Sequence, residues 1–423
     1  MPTSTSSSSL QRQSSATDGP GRFVPPLLLL LTVFGPISMD LYLPVLPALT
    51  DELGAATSTA QLTITACLVG LALGQLIAGP TSDRFGRRWV LYAGVGAYIA
   101  ASLLCAVSST VEMLLAARLA QGLAGGAGIV IAQAAGRDIY SGPALIRHYG
   151  RLTVLAGLAA IIGPLLGGQL ATFTDWRGLF LFLAGIGVVI LIAGLLMFRE
   201  TLPPGRRTRG GLRRTGKDFR SLLADRTFLG AVLVQGFVNA AIFAYLAGAT
   251  FVLQGIYGLS PQEYALAFGL NSAGFMVFAF ISGRTAMRWS LQGTVVTGLA
   301  MSLLGAAGLL AAAVGQLPLA AVVLSLLLMV SGAAVVTPPI TALALAEYPQ
   351  IAGTASSLLG TARYAFGAAA APLVGMAGAG TMLPLGVVTV VSMVLAFAAY
   401  LALVRPGARG HLRPAPRDSR LSG

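Results

Sequence analysis

The strongest constraint on this chain is a succession of apolar runs, each long enough to cross a bilayer. A spanning helix needs about 20 consecutive apolar residues, and runs of that length recur from Phe23 to Val404. Inside hydrocarbon a backbone must satisfy its own N–H and C=O groups, which leaves helices or closed barrels. The runs lack the short alternating pattern of barrel strands. The expected fold class is therefore an all-α polytopic membrane protein. Charge agrees: only 10% of the 423 residues are Asp, Glu, Lys or Arg, against roughly 25% in soluble domains.

The runs place spans at 23–49, 59–78, 89–108, 112–135, 150–172 and 178–198. Six more follow at 227–253, 263–282, 290–313, 318–345, 352–376 and 382–404. Residues 199–226 separate the two sets, with nine basic and three acidic residues. The expected organisation is a tail (1–22), a six-helix bundle (23–198), a basic linker (199–226), a second bundle (227–404) and a basic tail (405–423). The tail at 1–22 is rich in Ser and Thr and reads as disordered. All of the 27 Lys and Arg residues except Arg118, Arg177 and Arg363 fall in the termini and in alternate links. That is the positive-inside pattern. It puts both termini in the cytoplasm and accounts for the net charge of +13 without nucleic acid. The lipid bilayer is the expected partner.

Two motifs are set aside. Gly211 to Asp218 nearly spells a phosphate-binding loop, but Asp218 stands where Ser or Thr would hold magnesium, and no strand precedes it. Cys67 and Cys105 lie in apolar runs as small packing residues, and no metal-ligand spacing exists. No cofactor, metal or enzymatic activity is expected.

The link after the second run reads Gly79-Pro80-Thr81-Ser82-Asp83-Arg84-Phe85-Gly86-Arg87-Arg88. Gly79 and Gly86 would let the backbone turn tightly at each end. A positive-inside anchor would explain the arginines alone, but not Asp83 or the two glycines. The run resembles the signature between spans 2 and 3 of the major facilitator superfamily, often called motif A. The resemblance implies two pseudo-symmetric six-helix bundles that rock about a central site. Gly79 and Arg84 recur as Gly283 and Arg288 between spans 8 and 9, with Met287 in the place of Asp83. Gly367, Pro372 and Gly375 of span 11 echo span 5. Asp83 and Asp138, at helix ends, are expected to pair with Arg84, Arg87 or Arg88 in the outward-open state, as a conformational latch.

Asp40 lies within the first span, in Met39-Asp40-Leu41-Tyr42-Leu43-Pro44-Val45-Leu46-Pro47. An intramembrane carboxyl is costly, at about 2.5–3.5 kcal/mol, and points to function. Pro44 and Pro47 should kink the helix beyond it. Its setting is similar to that of the Bcr/CflA branch, the bicyclomycin- and chloramphenicol-resistance drug:proton antiporters. Arg118-Leu119-Ala120-Gln121-Gly122 looks like the family's motif B, which implies proton handling. Arg118 is expected to favour ionised Asp40, directly or through water. In span 5, Gly150, Ala159, Gly163-Pro164 and Gly167-Gly168 resemble the antiporter motif C, with Ala159 where the family usually has Gly. That motif implies export.

For substrate, Tyr42, Gln121, Asn239, Phe243, Tyr245, Asn271, Arg363 and Tyr364 are candidates to line a weakly polar, aromatic pocket. Arg363 has two roles open to it: binding an anionic or carbonyl-bearing compound, or pairing with Glu347. The resemblance implies a bacterial plasma-membrane protein, monomeric, that exports an amphipathic antibiotic of the chloramphenicol or bicyclomycin class in exchange for protons. The competing expectation is an importer of a small metabolite with the same fold.

Overall fold

The computed structural model describes residues 24–140, 142–207, 212–288, 290–345, 348, 352–376 and 380–406. The expected 1–22 tail, Glu347 and most of the 405–423 tail lie outside these. Among the described residues the chain is helical, in the order α1 (Val24–Asp40), α2 (Leu46–Glu52), α3 (Thr57–Phe85), α4 (Arg87–Ala106), α5 (Val111–Ile139), α6 (Gly142–Leu170) and α7 (Trp176–Met197). After the link come α8 (Leu212–Ala224), α9 (Arg226–Thr250), α10 (Pro261–Arg288), α11 (Leu291–Gly315), α12 (Leu319–Leu345), α13 (Ala352–Gly375) and α14 (Leu383–Ala399). Helices α1 and α2 together make the first span, and each of the other expected spans has one helix. Among the described residues, ten spans are long and apolar enough to cross a membrane. The other two expected spans are α6, of which Gly157–Leu170 forms a shorter apolar stretch, and α13.

The first span does more than kink. Helix α1 stops at Asp40, a 3₁₀ turn covers Leu43–Val45, and α2 resumes at Leu46. Pro44 and Pro47 explain the restart: each lacks a backbone N–H, and each is tolerated in the first turn of a helix.

The 79–88 region corrects one expectation. Helix α3 continues through Gly79 and Pro80 to Phe85, so Gly79 does not turn the chain. Thr81 and Ser82 side chains return hydrogen bonds to Ile77 and Gly79 carbonyls (2.6 and 2.9 Å), which helps the helix run on past Pro80. The turn rests on Gly86 alone, at φ 97°, a conformation that disfavours any side chain.

Within the first half, α5 packs on α1, α3 and α4, and α4 on α7. The α3–α5 seam is set by small residues one turn apart, Gly70 and Gly74 facing Gly122 and Gly126. A Cβ on Gly122 would collide with the Cys67 carbonyl, and one on Gly74 with the Leu123 carbonyl. Without a hydrophobic driving force between helices in lipid, such close backbone approach is what holds them. In the second half, α9 packs on α13 and α14, and α12 on α10 and α11.

The halves meet along two related seams, α3 with α13 and α6 with α10. Each joins the second spanning helix of one half to the fifth of the other, as pseudo-symmetry requires. Three hydrogen bonds cross at the end opposite the 79–88 segment. They run from Gln61 Nε2 to the Ala247 carbonyl (3.1 Å), Gln254 Nε2 to the Pro44 carbonyl (3.0 Å) and Gln262 Nε2 to the Gly168 carbonyl (3.0 Å). A fourth, Ser272 Oγ to the Ala160 carbonyl (3.4 Å), lies midway. Among the described residues none crosses at the basic end. The hydrogen bonds between the halves thus gather at the end away from the arginines.

Gly122→Val should overpack the α3–α5 seam and cost about 1–3 kcal/mol. Thermal unfolding of the purified protein in detergent should show a lower midpoint than Gly79→Val, since Gly79 has open space where a Cβ would go.

Candidate functional site

The break in the first span leaves the last carbonyls of α1 without intrahelical partners. Arg118 of α5 reaches them. Its Nη1 donates to the Ser38 carbonyl (2.9 Å) and to Gln121 Oε1 (2.5 Å), and its Nη2 approaches Met39 Sδ (3.6 Å). The guanidinium also lies over the Tyr42 ring (4.3 Å) and the Phe180 ring (5.7 Å). A cation at a helix C-terminus is favoured by the helix dipole. Arg118 is fully buried, and this set of acceptors and ring faces is what makes that burial tolerable.

A second layer orients the first. Gln121 Nε2 donates to Ser102 Oγ (2.8 Å), Ser38 Oγ shares a hydrogen bond with the Tyr98 hydroxyl (2.5 Å), and the Tyr42 hydroxyl with Thr63 Oγ1 (3.0 Å). Two expected substrate contacts are corrected here. Tyr42 and Gln121 are completely buried and committed to this network, so they do not face a cavity. Their apolar and polar faces match the needs of Arg118 rather than those of a ligand.

Asp40 follows directly in the chain but is not part of the network. Its side chain is 4% exposed, and among the described residues its carboxylate has neither a hydrogen bond nor an ion pair. The expected direct pairing with Arg118 is absent: Arg118 turns Nη1 to the Ser38 carbonyl and Gln121, and its buried Nε has no partner among the described residues. The groups within electrostatic reach of Asp40 come from the other half: Arg363 of α13, Tyr245 of α9 and Tyr264 of α10. Behind Asp40 stands α6. A Cβ on Gly163 would press on Asp40 Cβ (3.1 Å), and one on Gly167 would collide with the Leu41 carbonyl. Gly168 turns the other way, toward Pro261 and Ala265 of α10. The Gly163, Pro164, Gly167 and Gly168 cluster thus seats the broken span on one face and the opposite bundle on the next. Gly150 lies far along α6, toward the basic end, and does not join this contact.

The second-half candidates form two groups. Tyr245 stacks on Phe268 (5.6 Å) and its hydroxyl accepts from Asn271 Nδ2 (3.0 Å). Asn271 Oδ1 is buried without a hydrogen-bond partner among the described residues, and the buried hydroxyls of Tyr264 and Thr250 lie next to each other. Phe243 and Tyr364 meet at 5.9 Å, and the exposed Arg363 guanidinium lies 5.6 Å from the Tyr364 ring. Asn239 is not with either group: it donates to the Gln235 carbonyl of its own helix (2.8 Å). Tyr264, Thr250 and Gln61 were not anticipated. Each is a polar residue within an apolar run, and that was the available signal.

At the basic end, among the described residues, only Arg87 of the three expected arginines forms ion pairs, with Asp83 (2.6 Å) and Asp138 (3.0 Å), and it also donates to Ser82 Oγ (2.5 Å). Arg84 lies over Phe85, and Arg88 over Tyr92, whose hydroxyl it also meets (2.8 Å). An unanticipated carboxylate completes the cluster. Glu200 accepts from the backbone N–H of Arg87 (2.9 Å) at the start of α4 and pairs with Arg207 (3.5 Å). Anions are favoured at that helix end. Thr201 donates to Asp138 (3.1 Å). All these partners belong to the first half and its adjoining link. Among the described residues, no three or more His, Cys, Asp or Glu side chains gather as metal ligands.

The family model described as Major Facilitator Superfamily matches residues 28–372. Over 382 residues the chain is 36% identical to the uncharacterized MFS-type transporter YdgK of Bacillus subtilis (strain 168), covering 90% of this chain and 94% of that protein. It is 27% identical to the bicyclomycin resistance protein homolog of Haemophilus influenzae, covering 82% and 87%. Among solved structures it is similar to a bacterial homolog of the human lysosomal transporter Spinster, inward-facing and unoccupied. There the TM-score is 0.75 at 17% identity, with 93% and 98% covered, a likeness of fold.

Asp138→Asn should destabilise the protein by about 1–3 kcal/mol, because its carboxylate is only 15% exposed and serves both Arg87 and Thr201. Asp83, 46% exposed, should matter less, at about 0–1 kcal/mol on substitution by Asn. Thermal unfolding of the two variants compares them directly.

Proposed function

This chain belongs to the major facilitator superfamily, a family of membrane transporters, and from that premise we propose that it exports an amphipathic antibiotic of the bicyclomycin or chloramphenicol class in exchange for protons. The observation that carries the reading is Asp40. It is a buried carboxyl without a hydrogen-bond partner among the described residues, set where a spanning helix breaks and within electrostatic reach of the second bundle. The name of the Haemophilus relative supports the substrate class.

In this reading residues 23–198 and 227–404 are two rigid bodies joined by 199–226, with both termini in the cytoplasm. The basic end is then cytoplasmic, and the hydrogen bonds between the halves at the opposite end support reading the present state as inward-facing. Asp40 is the proton carrier. Arg118 acts by fixing the end of α1, which sets where Asp40 sits. Arg363 is the cation that faces the Asp40 carboxylate across the two bundles. Drug and proton each favour a different charge state of the Asp40–Arg363 pair, and coupling follows from that differential binding. Tyr245, Asn271, Tyr264, Phe243 and Tyr364 supply the aromatic, sparsely polar wall. The Arg87 cluster holds α3, α4 and α5 together as the first body moves.

The test is transport in proteoliposomes with an imposed pH gradient. Wild type should accumulate the compound against its own gradient. Asp40→Asn should fold, bind the compound, and lose accumulation driven by the pH gradient by at least about tenfold. Undiminished gradient-driven accumulation in that variant would remove Asp40 from the mechanism.

A further inference from the structure

Helix α8 is not needed for any step above, yet it is the most sharply two-sided element in the chain. On a helical projection Phe219, Leu222 and Leu223 fall on one arc, and Lys217 and Arg220 on the opposite one. Leu222 is fully buried, where α8 packs on α9 and α13. Leu223 beside it remains 42% exposed, and Lys217 and Arg220 are exposed on the other side. The helix therefore uses only part of its apolar arc on protein.

Its depth is fixed by its neighbour. Asp225 alone separates α8 from α9, and its side chain caps α9 by accepting from the Phe228 N–H (2.6 Å). α9 is a spanning helix, so α8 lies at the level where hydrocarbon meets water. Arg226, the first residue of α9, and Arg405, just beyond the last span, are exposed at the same end. A basic amphipathic helix at that depth has one partner whose chemistry fits both arcs at once: acyl chains for Leu223 and phosphate head groups for the cations.

We propose that α8 is a binding site for anionic phospholipid head groups at the surface of the membrane. Lys217 and Arg220 hold the phosphates, and Leu223 enters the acyl layer. Because α8 packs on α9 and α13, the bound lipid anchors the second bundle, while the Glu200–Arg207 part of the link docks on the first.

The full-length protein is purified, stripped of lipid and titrated with phosphatidylglycerol or phosphatidylcholine, and bound lipid is read by native mass spectrometry. Phosphatidylglycerol should be retained in preference. Replacing Lys217 and Arg220 together by Gln should weaken its retention by at least about tenfold, since each cation near an anionic surface contributes about fivefold. Unchanged retention in that variant overturns the proposal. Retention of both lipids alike by wild type does so as well. If the double variant does not fold, nitroxide labels at Leu223→Cys and Lys217→Cys decide. The native Cys67 and Cys105 are buried and spare the labelling. In phosphatidylglycerol vesicles the label at 223 should be relaxed by oxygen and the one at 217 by a water-soluble nickel complex. Equal access of the nickel complex to both, as for a helix covered by an acidic protein or by water alone, also overturns it.

Discussion

The structure turns on a cation bound to the end of a broken helix. A spanning helix that stops midway exposes carbonyls to hydrocarbon, and each unsatisfied one is costly there. Arg118 answers that cost, and the cost of burying a guanidinium is answered in turn by the Ser38 carbonyl, Gln121 and two aromatic faces. Neither group is tolerable alone. Their mutual satisfaction fixes where α1 ends, and so fixes Asp40 in a place where no first-half side chain pairs with it.

The same economy governs the seams between helices. Gly163 and Gly167 let α6 close on the broken segment, and Gly168 lets its neighbouring face close on α10. Small residues bring backbones near each other without side-chain interlocking, which leaves room for bundles to shift as bodies. By contrast, the α3–α5 seam lies within one half, and there the glycines fit backbone to backbone and keep the half rigid. Arg87, gripping Asp83 and Asp138 on neighbouring helices, reinforces that rigidity at the basic end.

Much of the fold was legible because hydrocarbon imposes simple rules. Run length gave the spans, and the Asp, Arg and Gly spacing of 79–88 carried the family resemblance. The resemblance brought Asp40, Arg118, Gly163 and Gly167 into view, and these do meet around one break. The partners were less legible. Tyr42 and Gln121 looked like ligand contacts because polar and aromatic residues in a span suggest a pocket, yet both serve Arg118. Glu200 was hidden in a link whose charges all looked solvated. Gly79 looked like a turn because Gly-Pro usually is one, but side chains one residue on keep the helix intact.

The sequence by itself determined that this chain crosses a bilayer repeatedly and divides into related halves. The physical reason is that the membrane filters for length, apolarity and internal hydrogen bonding, all of which are local properties. Only the tertiary structure decided which buried charges have partners. It gave Arg118 to the main chain of α1 and left the buried Asp40 without a hydrogen bond or ion pair among the described residues. Pairing depends on which helix ends come together, and no local pattern carries that.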